Sequence, residues 1–540
     1  MSLRDRFFTF LVLSTLAVIP GCGSSNAPAP PPSGAFSNSN LNGTYVFSFS
    51  GVDATNGNES FFAVVGTLVA NGSGSFTSGT VDVNDPSLGA ALGTSGVATG
   101  LATTGKYNVT ADGRGTGTIT VTINQRGIQF GLDFVLTNSS HGLITRFDAG
   151  GSGSGSIDLQ ASGITQASLQ GSYAIGLSGV DLNGHPLGTV GSFTLTASGT
   201  ATGLQDFNDD GNSANLQALA LVSPSTVLVG SPSGTAQLTT SAAAFGTLNF
   251  DVWAVDSTHL KFIETDEVAA LAGDAFVSTG QTSFPSGNLV FTAFGIDNAT
   301  NPFAAGGVMT SDGSSLITGG LQDVNDAGTV VQAPSISGGF SSANGRTQLT
   351  LNGIYNGGIM GSTLFTGTYI FAAYPYAGGI ELLEIDGLGV TAGVAFPQSS
   401  TSITASQGYG LNLSGENSNG ETDWIAQFNA TSTSLSGLYD ANNLGTLISD
   451  HSLGTGSYSI ASNGRGTASF PSLQTNGNSL IGELSLTFYT VNSSTVVFIE
   501  TDSNQLGAGS FQLQNASSSS AAQSRPVILQ RSPSFHGFRR

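Results

Sequence analysis

In Tyr45-Val46-Phe47-Ser48-Phe49-Ser50-Gly51 the odd positions carry large apolar side chains up to a closing glycine. A period of two is typical of a β-strand with one buried face. The same alternation, with the apolar residues at even positions, runs from Ile128 to Phe134. Asn-Gly and Asp-Gly steps, which suit tight hairpins, separate such runs, and helical periodicity is nearly absent. The sequence therefore predicts an all-β protein of short, hairpin-linked strands.

This opening strand occurs four times, together with three other landmarks. Its closing glycines lie 128, 116 and 120 residues apart, at Gly51, Gly179, Gly295 and Gly415. An Asp-x-Asn landmark recurs at Asp82/Asn84, Asp206/Asn208, Asp323/Asn325 and Asp440/Asn442. A Glu-x-Asp landmark recurs at Glu264/Asp266, Glu384/Asp386 and Glu500/Asp502, and the first copy has Arg146 before Asp148 instead. An Asn/Asp-Gly-Arg turn supplies Arg114, Arg346 and Arg465 and is degenerate in the second copy. This common order indicates four tandem copies of one domain.

Each copy holds roughly eight alternating runs, which we expect to form one closed sheet. Eight sequential antiparallel strands favour a small up-and-down barrel, because closure removes the edge strands. A two-sheet β-sandwich explains the same alternation and remains the alternative. The predicted repeats cover residues 40–160, 166–281, 282–400 and 403–516.

The N-terminus has the three parts of a secretory signal peptide over residues 1–21. Arg4 and Arg6 are followed by an apolar run that is too short to span a bilayer, and then by Ile19-Pro20-Gly21-Cys22. This segment resembles the lipobox of bacterial lipoproteins, which implies cleavage before Cys22 and lipid attachment to it. Cys22 is the single cysteine of the chain, so it can form no internal disulfide. Residues 22–39 are rich in Ser, Pro and Gly and are predicted to be a flexible tether.

The body also resembles a group of uncharacterised tandem-repeat β-domain lipoproteins of environmental bacteria. The resemblance rests on the Gly-x-Tyr strand, the Asp-x-Asn-Asp turn and the Asn/Asp-Gly-Arg-Gly-Thr turn, although Thr347 directly follows Arg346 in the third copy. It implies a lipid-anchored protein. Gly23 follows the cysteine where an inner-membrane retention signal would show Asp, and this favours the outer membrane, with the body facing the periplasm or the cell surface. The resemblance implies no activity.

The charge of the body limits its partners. Between Cys22 and Ser524 there are seven basic residues and 33 acidic ones. Such a surface repels nucleic acid and anionic lipid headgroups, so no nucleic-acid partner is expected. The last segment, residues 517–540, carries four arginines and no acidic residue, and is predicted to be a disordered basic tail.

A calcium loop is the best candidate for a metal site. Asp206-Phe207-Asn208-Asp209-Asp210-Gly211 matches the start of a calcium-binding loop, with Asp206, Asn208 and Asp210 as the candidate ligands. Gln217 stands where the closing bidentate glutamate belongs. The competing interpretation is an Asx-turn, in which these side chains accept backbone N–H bonds. No cofactor other than this Ca²⁺ is suggested.

The paired carboxylates of the Glu-x-Asp landmark invite comparison with a glycoside hydrolase, which uses two such groups. The pairs are Glu264/Asp266, Glu384/Asp386 and Glu500/Asp502. Because catalytic sites are rarely triplicated within one chain, we expect a structural role, in which each pair clasps the arginine of the Asn/Asp-Gly-Arg turn.

The remaining candidates are aromatic. Trp253 and Trp424 could serve as exposed stacking platforms for sugar, and the alternative is a core or rim position. The five histidines occupy non-equivalent positions without metal-ligand spacing. A lipocalin-like carrier requires an apolar cavity inside each barrel. The inward-facing residues are bulky, however, and such side chains are able to fill an eight-stranded barrel.

These observations predict a non-enzymatic scaffold, held on a membrane by lipid and carrying four rigid β-domains that bind an envelope protein or a polysaccharide. Repeated weak sites suit such a protein because they gain avidity together. The alternative is an array of ligand-binding barrels, and a carbohydrate-active enzyme comes third.

Overall fold

The computed structural model describes residues 35–516, except for 56–58, 93–94, 124, 232, 242–244, 279–282, 356–365 and 472–482. The signal peptide, Cys22, most of the tether and the basic tail therefore lie outside the described residues. Nearly all regular structure is antiparallel β-sheet, as the period-two pattern predicts. No helix in the described part of the chain is long and apolar enough to cross a membrane.

The first repeat folds into barrel 1, a closed eight-stranded up-and-down barrel. The last strand pairs with the first, from Tyr45 opposite Leu159 to Asp53 opposite Gly151. Its strands are β1 (Asn42–Asp53), β2 (Ser60–Asn71), β3 (Ser75–Asn84), β4 (Val97–Val109), β5 (Arg114–Ile123), β6 (Arg126–Asn138), β7 (His141–Asp148) and β8 (Gly151–Leu159).

One short helix, α1 (Pro86–Leu92), connects β3 to β4, and the sequence analysis did not predict it. Asp85 precedes it and accepts the backbone N–H of Leu88 at 3.0 Å, as an N-cap residue does. Pro86 suits the first helical position because its ring removes a donor that would have no partner there.

The second repeat, barrel 2, departs from the closed pattern at its fourth strand. The strand is reduced to two fragments, so the wall is a nine-stranded sheet that begins with one fragment and ends with the other. Pro224 lies between them and cannot donate to a ladder. Single bonds from Leu221 and Val222 to the flanking strands bridge the gap. The strands are β9 (Gly171–Asp181), β10 (Pro186–Leu195), β11 (Ala201–Asp209), β12 (Leu219–Ala220), β13 (Thr226–Leu228), β14 (Gly234–Thr239), β15 (Thr247–Asp256), β16 (His259–Glu264) and β17 (Ala269–Val277).

The third and fourth repeats, barrels 3 and 4, are closed eight-stranded barrels like the first. The prediction of up-and-down barrels is thus confirmed, and the sandwich alternative is wrong. Barrel 3 contains β18 (Gly287–Ile296), β19 (Pro302–Ser311), β20 (Leu316–Asp326), β21 (Thr329–Ala343), β22 (Arg346–Tyr355), β23 (Thr366–Pro375), β24 (Ile380–Glu384) and β25 (Val390–Pro397). Barrel 4 contains β26 (Gln407–Asn417), β27 (Gly420–Ala430), β28 (Ser434–Asn443), β29 (Thr446–Ile460), β30 (Arg465–Pro471), β31 (Glu483–Asn492), β32 (Thr495–Glu500) and β33 (Gln505–Leu513).

The inward faces of the strands fill the barrels with apolar side chains. In barrel 1 the odd residues of the opening strand, Tyr45, Phe47 and Phe49, are buried in the core with Phe130 and Leu132. Equivalent cores fill barrels 2, 3 and 4. In barrel 4 the remaining cavity is about 10 Å³, which is room for roughly one water molecule.

The outward faces join the four barrels into a closed ring. Apolar clusters connect barrel 1 to 2, barrel 2 to 3 and barrel 3 to 4. A fourth cluster joins Val135 and Leu143 of barrel 1 to Ile425 of barrel 4. In each barrel the first three strands contact the next barrel, and the last three or four strands contact the preceding barrel. Such head-to-tail interfaces generate a ring when the rotation closes, and here the ring closes within one chain.

Candidate functional site

The Asn of every Asp-x-Asn landmark crosses from one barrel to the next. Its side-chain amide donates to the carbonyl of the Glu-x-Asp glutamate (or of Arg146) and to a second carbonyl at or just before the start of the following strand. The bonds are Asn84 to Glu264 (3.0 Å) and Ala269 (3.3 Å), Asn208 to Glu384 and Gly389 (both 2.8 Å), Asn325 to Glu500 (3.1 Å) and Gln505 (3.2 Å), and Asn442 to Arg146 (2.9 Å) and Gly151 (2.6 Å). The two landmarks are therefore the two halves of one interface, repeated four times.

The Asp of the same landmark binds the arginine of the next barrel's Asn/Asp-Gly-Arg turn. Arg346 donates to both carboxylate oxygens of Asp206, at 2.9 and 2.8 Å. Arg465 binds Asp323 in the same way, at 2.8 and 2.6 Å. Arg114 of barrel 1 reaches Asp440 of barrel 4 at 2.9 Å, which closes the cycle. The turn needs glycine because its φ is positive, as at Gly345 (+80°).

The expected clasp between the arginines and the Glu-x-Asp pairs is therefore wrong. The arginine does bind a carboxylate, but that carboxylate belongs to the Asp-x-Asn landmark of the preceding barrel. The landmarks of one copy do not pair with each other; each pairs with a landmark of a neighbouring copy. In the second copy, which lacks the arginine, the indole N–H of Trp253 takes its place and donates to Asp82 at 2.8 Å.

The candidate calcium ligands do not fit a cation. The Asp206 carboxylate is occupied by Arg346, by the hydroxyl of Tyr374 and by the backbone N–H of Ala218. The amide of Asn208 is directed at carbonyl oxygens of barrel 3, and Asp210 lies in a turn with φ of 51°. A guanidinium at the centre of the ligand set would repel Ca²⁺. No cluster of three or more metal-ligating side chains occurs among the described residues.

The three Glu-x-Asp pairs lie at the chain-linked interfaces, and their glutamates are buried (Glu264, Glu384 and Glu500). Burial, reinforced by Asp266, raises the pKa of Glu264 to about 9. Each aspartate accepts backbone N–H groups of the turn and the neighbouring strand, as Asp266 does from Asn249 (2.7 Å) and Val268 (3.1 Å). This geometry gives the aspartates a structural task at the turn and buries the glutamates between neighbouring barrels.

Both tryptophans are fully buried, so the stacking-platform interpretation is wrong. Trp253 packs in the apolar cluster between barrels 1 and 2. Trp424 lies in the core of barrel 4, stacked on Tyr439 with ring centroids 4.7 Å apart. The strand alternation places Trp253 outward, and only the presence of a neighbouring barrel buries it.

A buried ionic cluster joins barrels 1 and 2. The ammonium of Lys261, which is fully buried, lies 3.4 Å from Asp158 of barrel 1 and 3.2 Å from Asp274 of barrel 2. His141 binds Asp158 at 2.7 Å, and His259 binds Asp274 at 2.6 Å. Burial alone would raise the pKa of both aspartates, but Lys261 and the histidines lower it. Lys261, Asp158 and Asp274 lack equivalents in the other copies, so repeat analysis could not find them. His141 and His259 do correspond to each other, because each begins the equivalent strand of its barrel, β7 or β16, so the expectation of non-equivalent histidines is wrong for this pair.

A glutamine after the last strand forms a further landmark that the sequence analysis missed. Gln160 donates to the Ala254 carbonyl of barrel 2 (2.8 Å), and Gln398 donates to Thr490 of barrel 4 (3.0 Å). Gln514 follows barrel 4 and turns to barrel 1 instead, where it binds the carbonyls of Asp112 and Leu136, both at 2.9 Å. The recurrence of a glutamine directly after the last strand is the sequence signal that could have revealed this landmark.

No family model matches the chain, and neither does any curated protein. Among solved structures, the matches include chains of transferrin binding protein B. A mutant from Haemophilus parasuis Hp5 is 10% identical, with 74% of this chain and 83% of that chain covered and a TM-score of 0.20. The isotype 1 protein from serogroup B Neisseria meningitidis is 10% identical, with 88% and 77% covered and a TM-score of 0.18. These TM-scores are too low to assign a shared overall fold.

Proposed function

We propose that this protein is a non-enzymatic scaffold: a rigid four-barrel ring, anchored to the outer membrane through lipid on Cys22, that presents loops to an envelope or extracellular partner. The observation that carries this proposal is the cyclic interface. Nearly all the polar side chains that suggested chemistry in the sequence are engaged in holding barrels together. What remains available to a partner is the outer surface and the loops.

The orientation of the barrels supports one presenting face. At every interface the Asn lies at the end of β3, β11, β20 or β28 and contacts the end of β7, β16, β24 or β32. These are the same ends of neighbouring barrels, so the four barrels point the same way. We name this side, with the β1–β2 and β3–β4 connections and their equivalents, the loop face.

Both described termini lie at the opposite side of the ring. Asn40, before β1, donates to the carbonyl of Ala516 at 3.2 Å, and Asn515 donates to the carbonyl of Thr137 at 2.6 Å. A tether that leads from Cys22 to the first described residues would therefore reach the ring from this side. The loop face, with longer connections such as 85–96 and 210–218, then faces away from the membrane.

Two alternatives receive less support. A lipocalin-like carrier requires an interior cavity, whereas packed aromatic and aliphatic side chains occupy the barrel interiors. A carbohydrate-active enzyme requires accessible carboxylates, whereas Glu264, Glu384 and Glu500 are buried between barrels.

Protease treatment of intact cells tests the presenting role, with the body detected by antibody. Surface display predicts loss of the body from intact cells, and a periplasmic location predicts loss only after the outer membrane is opened. The Cys22→Ser variant is the matched control for anchoring, because it should be released from membranes and should not incorporate a palmitate analogue. Retention of that variant on membranes would contradict the anchor.

The partner class is tested separately, by applying the purified ring to arrays of neutral polysaccharides and to envelope-protein extracts. Substitutions in the loop-face connection 210–218 should weaken binding, and substitutions in the opposite turn 196–200 should not. Turnover of a glycan by the ring would contradict the non-enzymatic role.

A further inference from the structure

Every interface of the ring buries a carboxyl group that has no cationic partner of its own. Three are equivalent: Glu264 at the interface of barrels 1 and 2, Glu384 at that of barrels 2 and 3, and Glu500 at that of barrels 3 and 4. In barrel 1, Arg146 replaces this glutamate. There the interface with barrel 4 holds another buried carboxyl, Asp133, beside Asp440.

The basic side chains nearby are committed to other carboxylates. Arg346 binds Asp206, Arg465 binds Asp323, and Lys261 is shared between Asp158 and Asp274. A buried carboxylate without a counter-ion is costly, so such a group takes up a proton instead.

The groups that face the glutamates are acidic or neutral. Glu264 accepts the Asn84 amide of barrel 1 at 2.9 Å and the Asp266 N–H at 2.8 Å, with the Asp266 carboxylate beside it. Glu384 accepts the hydroxyls of Tyr369 (3.1 Å) and Thr391 (2.9 Å) and lies beside Asp386. Glu500 lies beside Asp502 and Gln505. Burial, and secondly the neighbouring aspartate, raises the pKa of Glu384 and Glu500 well above the usual value.

Asp133 lies near both acidic and basic side chains. Burial, and then Asp440 and Asp450, raise its pKa to about 8, while Arg114 acts in the opposite direction. An equivalent acid pair, Asp82 and Asp251, adds to Glu264 at the interface of barrels 1 and 2, where burial raises the pKa of Asp82 to about 7. Each interface thus places a buried carboxyl group beside a second carboxyl group, which belongs either to the neighbouring barrel or to the same turn.

We propose that closure of the ring depends on protonation: the four interfaces close fully only while Glu264, Glu384, Glu500 and Asp133 carry protons. Loss of these protons places uncompensated anions beside Asp266, Asp386, Asp502 and Asp440, and the interfaces loosen together. This proposal concerns conformation and does not depend on the partner or on the lipid anchor.

The sign of the pH dependence follows from linkage. A carboxyl group with a raised folded-state pKa adds stability that is complete below its unfolded value, near ~4, and is lost as the pH rises through the folded value. The closed ring should therefore weaken between about pH 5 and pH 9. The Lys261 cluster has the opposite sign, because its aspartates have lowered pKa values, and it loses stability only in stronger acid.

The test compares the mature protein with a variant carrying Glu264→Gln, Glu384→Gln, Glu500→Gln and Asp133→Asn, in which neutral amides imitate the protonated groups. Glu267→Gln, an exposed residue of the Glu264 turn, is the matched control. At pH 7 the infrared spectrum of the wild type should show a carboxylic-acid carbonyl band that is clearly weaker in the variant and unchanged in the control, because other acids with raised pKa values stay protonated in both. Equal bands in wild type and variant would overturn the proposal.

Ring closure itself is followed by X-ray scattering and thermal unfolding from pH 5 to 9. The wild type should expand and lose roughly 5–10 °C in Tm as the pH rises. The four-site variant should lose about a third to a half of this slope, because Asp82, Asp85, Asp209 and the buried Glu381 of β24 titrate in the same direction. Single substitutions at each site keep the test decisive if the combined variant fails to fold. An unchanged slope in a folded variant would contradict the proposal.

Discussion

The three interfaces between consecutive barrels and the one that closes the ring use the same landmarks but differ in composition. Nine buried apolar residues form the cluster between barrels 1 and 2, and nine form that between barrels 2 and 3. The closing interface has three, Val135, Leu143 and Ile425. It makes up the difference with polar contacts, because Asp423 accepts the hydroxyls of both Ser152 and Ser154 and Arg114 reaches two carboxylates of barrel 4.

The difference matters because the chain itself holds consecutive barrels together. A short linker gives neighbouring domains a high effective concentration, so a modest interface is enough to dock them. Barrel 4 has no such short linker to barrel 1, because the chain connects the two only through barrels 2 and 3. Directional charge-assisted bonds therefore specify closure there, and the comparison predicts different responses to equivalent substitutions.

The largest expected effect is that of Lys261→Met at the interface of barrels 1 and 2. The substitution leaves Asp158 and Asp274 buried without their cation, which costs about 3–5 kcal/mol for a broken buried ion pair. Chemical denaturation should show this loss, with barrels 1 and 2 unfolding first in hydrogen exchange. A loss below about 1 kcal/mol would mean that the cluster is solvated.

Arg114→Met should open the ring at its closing interface, with a cost of about 3 kcal/mol, because Asp440 is left buried without its cation. The matched change, Arg465→Met, removes the equivalent pair with Asp323 between chain-linked barrels. X-ray scattering should show expansion for Arg114→Met and little for Arg465→Met. Equal expansion of both variants would remove the distinction between the two kinds of interface.

Asn442→Ala and Asn325→Ala each delete an amide that bonds three carbonyl oxygens across an interface. Each should cost about 1–3 kcal/mol because buried acceptors are left unsatisfied. Protection of the neighbouring amides from hydrogen exchange should fall around residues 146–151 in the first variant and around 500–505 in the second. A change at both places in either variant would indicate that the interfaces are not independent.

The smallest effect is expected for Gln514→Ala, which removes two bonds to barrel 1, at about 0.5–1.5 kcal/mol. Gln398→Ala removes the equivalent bonds between barrels 3 and 4 and is its control. Thermal unfolding measures both. A larger effect of Gln398→Ala would contradict the view that the closing contact depends more on polar bonds.

Alternation and repeat spacing were enough to predict the strands, to favour barrels over sandwiches and to identify four of the landmarks, although not the glutamine after the last strand. Partners could not be predicted, because one sequence pattern shows which residues recur and not which copy each residue contacts. Asp206 was assigned to a turn or a cation, and its actual partner, Arg346, lies 140 residues away. Trp253 was ambiguous for the same reason. The broken fourth strand of barrel 2 had a local sign in Pro224, whose missing N–H interrupts a ladder.

Disulfide trapping tests ring closure most directly. The backbone N–H of Asn515 meets the Thr137 carbonyl across the closing interface, and Ala161 meets Val255 in the equivalent way between barrels 1 and 2. Residues this close are within reach of a disulfide. In a Cys22→Ser background, the pairs Thr137→Cys with Asn515→Cys and Ala161→Cys with Val255→Cys should both oxidise within the monomer to similar extents. Formation of the second bond without the first would show an open array of barrels and contradict the ring.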